Sequence, residues 1–133
     1  MIWEARHVSV SIDRPVAEVV RYAGDPRRLP EWAAGLAAGI RPDDDGASWV
    51  ADSPMGEVVV RFAPGNDLGV LDHDVSLPDG TVVHNPFRVM PNGDGSEVVF
   101  TVFRRDGADA AAFDADAAAV EADLTRLRDI LQR

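Results

Sequence analysis

Two residues of this 133-residue chain carry side chains whose types and spacing point to chemistry: His73 and Asn85. They flank Pro78-Asp79-Gly80, which predicts a type I turn with glycine at its left-handed position. A three-residue loop there sets Leu77 opposite Thr81, Val75 opposite Val83, Asp74 opposite His84, His73 opposite Asn85 and Leu71 opposite Phe87. One face then reads Leu71, His73, Val75, Val83, Asn85, Phe87 and Val89, an apolar surface with two polar residues facing one another. An imidazole in such a place can hydrogen-bond a ligand or move a proton near neutral pH. An amide beside it can orient the ring or polarise a carbonyl. The plainer reading is that His73 and Asn85 satisfy each other in a core. A two-residue turn would shift the register by one and send both side chains elsewhere. The opposite face pairs Asp74 with His84 and brings Asp72 within diagonal reach of Arg88.

Other constellations are weaker. Asp72, His73, Asp74 and His84 are metal-ligand types, but on a strand His73 points away from the neighbouring aspartates, so no metal is expected. No G-x-S-x-G context supports a serine triad. Gly65-Asn66-Asp67 is a lone turn rather than a phosphate loop, and no cofactor is expected. Trp3, Trp32 and Trp49 lack a basic groove and read as packing or rim residues. Glu31 reads as a surface carboxylate or one at a cavity mouth. Arg27 and Arg28 read as a solvated face.

The elements that must position His73 and Asn85 follow from periodicity. Ile2 to Ile12 alternates as a half-buried strand. Asp13 before Pro15 predicts a capped short helix ending at Gly24, and Asp25-Pro26 a second ending near Trp32. A short strand is expected over Leu36–Ile40, then a hairpin of Ser48–Asp52 with Glu57–Ala63. Strands Val70–Leu77 and Thr81–Met90 form the His73 hairpin, and Ser96–Arg104 is the last strand. From Asp109 to Gln132, Phe113, Ala117, Val120, Leu124, Leu127 and Leu131 recur in steps of four and three, one stripe of a long helix. Such a helix is marginal alone and needs a partner of similar length, here a curved antiparallel sheet.

Composition narrows the partners. The net charge is -10, and all 13 basic residues are arginine, which suggests a high-GC prokaryotic source. An acidic chain without a basic cluster argues against nucleic acid and against an anionic membrane surface. Cysteine is absent, which excludes a disulfide framework. The first ten residues have no apolar signal-peptide core and no segment is apolar enough to insert into a membrane, so a cytoplasmic protein is expected. The length suits one domain spanning residues 1–133, and no pattern fixes an oligomeric state.

Ile12-Asp13-Arg14-Pro15-Val16-Ala17-Glu18-Val19, then Tyr22-Ala23-Gly24-Asp25-Pro26 and Leu29-Pro30-Glu31-Trp32, resemble the opening of the SRPBCC superfamily, the START-like or helix-grip group. The segment Gly95–Val102 and the closing helix fit the same pattern. The resemblance implies an α+β helix-grip fold, with a curved sheet wrapped around a long C-terminal helix. It also implies a cavity between them for apolar or amphipathic small molecules, and brings no invariant catalytic motif. The expected ligand-binding residues are Trp49, Val60, His73, Asn85, Phe87, Phe100, Val120 and Leu124. The expected function is binding a small hydrophobic ligand. The alternatives are a polyketide cyclase/dehydratase-type enzyme using His73, and a protein-interaction module whose cavity is filled by side chains.

Overall fold

The computed structural model describes residues 1–36 and 38–133. β1 (Ala5–Ile12) leads into α1 (Val16–Ala23), and a 3-10 turn at Pro26–Arg28 runs on into α2 (Leu29–Trp32). A second 3-10 turn at Ala34–Leu36 precedes β2 (Ile40–Pro42), β3 (Trp49–Ser53) and β4 (Gly56–Phe62). The chain ends with β5 (His73–Ser76), β6 (Val82–Asn85), β7 (Phe87–Asn92), β8 (Gly95–Phe103) and α3 (Ala110–Leu131). All strand pairings are antiparallel, in the orders β1-β8-β7 and β2-β3-β4-β5-β6.

The expected unbroken strand Thr81–Met90 is instead two strands, broken at Pro86. Proline has no N–H for a ladder and restricts the residue before it. The break is stitched to both sides: the Pro86 carbonyl accepts from Thr101 N–H at 3.0 Å, and Phe87 N–H donates to Asp72 Oδ1 at 2.8 Å. The break separates β6, at the edge of the five-stranded sheet, from β7, at the edge of the three-stranded one. The strand paired with β6 is regular only from His73; before it, Asn66 accepts from the N–H groups of Leu68 and Val70 and donates to the carbonyls of Pro64 and Val70.

Two further expectations are corrected. Leu36 closes a 3-10 turn and the strand begins at Ile40, while Ala37 of that expected strand lies outside the described residues. Asp13 makes no cap; α1 starts after Pro15, and Asp13 N–H instead donates to Oε1 of Gln132, at the far end of α3, at 2.7 Å. Asp25 does cap its turn, accepting from Arg27 N–H.

α3 begins where Asp109 accepts from Ala112 N–H at 2.8 Å. Phe113, Ala117, Leu124 and Leu127 are buried, with Val120 and Leu131 half-buried along the same stripe. Each large buried side chain contributes about 1.5–3 kcal/mol over its exposed state. Leu124 and Leu127 belong to the core that includes Ile12, Val19, Trp32, Val60, Phe87 and Val98, and Val120 and Leu131 pack against it.

Candidate functional site

The register around the hairpin is His73 opposite Asn85, Asp74 opposite His84 and Val75 opposite Val83. Leu77 N–H bonds the Thr81 carbonyl at 2.8 Å, and Gly80 holds φ +89° as the left-handed residue of the turn. On the outer face His84 Nδ1 lies 2.6 Å from Asp74 Oδ1, and Arg88 pairs with Asp72 at 2.9 Å. The Arg88 guanidinium holds the Asp72 carboxyl below its ordinary range.

On the inner face a cavity of about 150 Å³ lies between the sheet and α3. Val60 of β4, His73 and Val75 of β5, Asn85 of β6 and Phe100 of β8 line it from the sheet. Val120, Asp123 and Leu124 line it from α3, and Leu29, Trp32, Ala33 and Leu36 from α2 and the turn after it. Of the eight residues expected at the site, Val60, His73, Asn85, Phe100, Val120 and Leu124 meet here. Phe87 stands behind the wall as fully buried core, its ring 5.5 Å from Phe100 and 5.8 Å from Trp32. Trp49 is half-buried opposite Val60 and does not reach the cavity. A larger surface depression of about 500 Å³ lies between β1 and α3, where Arg6 and Asp114 already form an ion pair.

His73 sits among three aromatic rings: Phe62 at 4.9 Å, Phe100 at 5.9 Å and Phe87 at 6.1 Å. Its Nδ1 lies 3.0 Å from the Leu71 carbonyl, which can only accept, so the neutral ring carries its proton there and keeps a lone pair on Nε2. Enclosure in these apolar walls lowers its pKa below 6.5. His73 and Asn85 share the cavity wall without bonding each other, so the mutual-satisfaction reading of the pair is not what the geometry shows.

Sequence reasoning assigned no inward carboxylate, yet Asp123 lines the cavity. Burial raises its pKa, opposed by hydrogen bonds from Ala34 N–H and Arg126 Nη1, each at 3.1 Å. Its position three after Val120 and four before Leu127 places it at the edge of the apolar stripe. Leu29, Trp32, Ala33 and Leu36 were also missed, although their spacing is that of a helical face. The indole Nε1 of Trp32 is buried with no hydrogen-bond partner among the described residues. Glu31 faces away from the cavity, accepting from the Tyr22 hydroxyl at 2.8 Å. Burial and that carboxylate push the Tyr22 pKa up to about 12. Among the described residues no group of three metal-ligating side chains forms, and no helix is long and apolar enough to cross a membrane.

The sequence profile of a family described as polyketide cyclase / dehydrase and lipid transport matches residues 6–133. No curated protein matches the sequence. Solved structures share the fold at low identity. An uncharacterised protein from Bacillus thuringiensis superposes with a TM-score of 0.79 at 15% identity, covering 98% of this chain and 100% of its own. Ara h 8.0201 gives 0.69 at 12% identity, covering 97% of both chains. DynU16, from the dynemicin biosynthetic locus, gives 0.73 at 21% identity; 96% of this chain matches 47% of that one.

Proposed function

This chain belongs to the polyketide cyclase / dehydrase and lipid transport family of the SRPBCC, helix-grip superfamily, and we propose that it binds a small, mostly apolar molecule between its sheet and α3. The observation that carries this reading is the cavity of about 150 Å³, walled largely by Leu29, Leu36, Val60, Val75, Phe100, Val120 and Leu124. A space of about that size accepts a benzene-sized guest. Drug-sized ligands occupy roughly 300–1,000 Å³. The ligand is therefore of single-ring size unless α2 moves aside. The space left open weighs against an interaction module with a filled cavity.

Calorimetric titration with ethylbenzene tests the reading. Saturable one-to-one binding near -5 kcal/mol, a Kd of about 0.2 mM, is expected for so few atoms. The three-ring probe 1-anilinonaphthalene-8-sulfonate should show no saturable binding. No heat with ethylbenzene would remove the reading.

A second reading rests on a separate observation: His73 and Asp123, both titratable, line one cavity. A proton-transfer enzyme would use the His73 Nε2 lone pair as base. His73→Gln would then leave binding nearly intact and reduce turnover by roughly 10²–10⁴-fold. A carrier would keep its affinity and have no turnover to lose.

A further inference from the structure

We propose that the ligand of this cavity carries a hydroxyl group, which donates a hydrogen bond to Nε2 of His73. The inference rests on the binding reading above and adds the chemistry of the ligand. His73 and Asn85 face one another in the register, and both line the cavity. Nδ1 of His73 is committed to the Leu71 carbonyl, and Nε2 has no partner among the described residues. Nε2 is not sealed in the core, because the one fully buried side-chain nitrogen or oxygen left unpaired among those residues is Trp32 Nε1. It therefore opens onto free space. Asp72 and Asp74 pair with Arg88 and His84 on the outer face, so His73 between them points inward. Nε2 lies on the edge of the ring away from the backbone. His73 lines the cavity against α3, not the neighbouring depression beside Phe62 and Leu71.

The polar groups of this wall match a donor. Neutral Nε2 offers a lone pair and no hydrogen. Asp123, which accepts from Ala34 N–H and Arg126 Nη1, is an acceptor too. A purely apolar guest would strip Nε2 of water and leave it unpaired, which is unfavourable; a ligand hydroxyl takes the place of that water. The Asn85 side chain, directly opposite with its Cβ about 5 Å from that of His73, supplies N–H groups that the hydroxyl oxygen can accept. An ether or ketone lacks the proton and gains nothing at His73 or Asp123.

The test compares phenol with toluene, and anisole with ethylbenzene, by calorimetry at pH 8. There His73, its pKa below 6.5, is neutral, and so is phenol, with a pKa of about 10. Phenol and toluene differ only by a hydroxyl in place of a methyl. Phenol should bind about 3–10-fold tighter than toluene. Anisole, which keeps the oxygen without the proton, should bind no tighter than ethylbenzene. Bound phenol should move the nitrogen NMR resonance of His73 Nε2 upfield. His73→Leu, which has no acceptor, should bind toluene tighter than phenol. The wild-type nitrogen shift decides the matter even if that variant proves unstable. Toluene binding as tightly as phenol with a stationary Nε2 resonance, or a phenol preference kept in His73→Leu, overturns the hydroxyl assignment and leaves the cavity reading in place. Failure of all four probes to bind overturns the cavity reading and the assignment with it.

Discussion

The carboxylate of Asp123, in the middle of α3, accepts the backbone N–H of Ala34 at 3.1 Å across 89 positions of sequence. With Arg126 Nη1 on the Trp32 carbonyl at 2.7 Å, it pins the segment that closes one side of the cavity onto the long helix. Removing the acceptor should loosen that segment. Asp123→Ala is expected to lower stability by about 1–2 kcal/mol in urea unfolding at pH 7, whereas Asp123→Asn, which keeps an acceptor, should stay within about 1 kcal/mol. The pH dependence has a definite sign. A raised folded-state pKa means the folded protein holds the proton more tightly, so this contribution is full below 3.8 and is lost as pH rises through the raised value. The wild type should therefore lose ground to Asp123→Asn on going from pH 4 to pH 7. A constant difference would show that burial does not perturb this carboxyl.

His73 gives the opposite pH window. Its pKa is lowered, so the unfolded chain takes up the proton first. The stability tied to neutral His73 is full above 6.5 and is lost as pH falls from 6.5 towards the folded value. An NMR titration of the ring protons should place its midpoint below 6.5, and His73→Gln should flatten the pH dependence of stability in that window. A midpoint at or above 6.5 would show that the ring is not enclosed by Phe62, Phe87 and Phe100.

The helix stripe makes a direct contrast. Leu124 is 1% exposed, while Arg128 pairs with its neighbour Asp129 on the surface. Leu124→Ala should cost about 2–5 kcal/mol and Arg128→Ala under roughly 0.5 kcal/mol by chemical denaturation. Comparable losses at the two sites would contradict the packing of α3.

Gly69 anchors the approach to β5. It holds φ +75°, and a Cβ there would collide with the Val89 carbonyl oxygen. Gly69 itself accepts Val89 N–H at 2.9 Å. Gly69→Ala should cost more than about 2 kcal/mol, combining backbone strain with a clash against rigid backbone. A loss under 0.5 kcal/mol would mean that this loop is not seated on β7.

The legible parts of the molecule were those governed by local rules. The stripe from Phe113 to Leu131 and the turn at Pro78-Asp79-Gly80 each follow from spacing or turn chemistry, and the turn alone placed His73 opposite Asn85. The break at Pro86 was readable from proline's missing N–H, but the apolar alternation through Val89 concealed it. Asp123 and Trp32 were harder. An acid at the edge of an apolar stripe reads as solvated until another segment packs over it, and one donor to Asp123, the N–H of Ala34, lies far away in the chain. The unpaired state of Trp32 Nε1 depends on every neighbouring element at once, which no local pattern encodes.

The central claim, that the space between sheet and α3 is a ligand site, is tested most directly by titrating ethylbenzene into the protein while following methyl resonances, in the wild type and in Val120→Phe. Val120 lines the cavity from α3, and a larger side chain there fills it at a cost of about 1–3 kcal/mol without altering the fold. The account predicts saturable shifts of the Val60 and Leu124 methyls in the wild type and their loss in the folded variant. Unmoved methyls in the wild type, or equal binding by Val120→Phe, would contradict it.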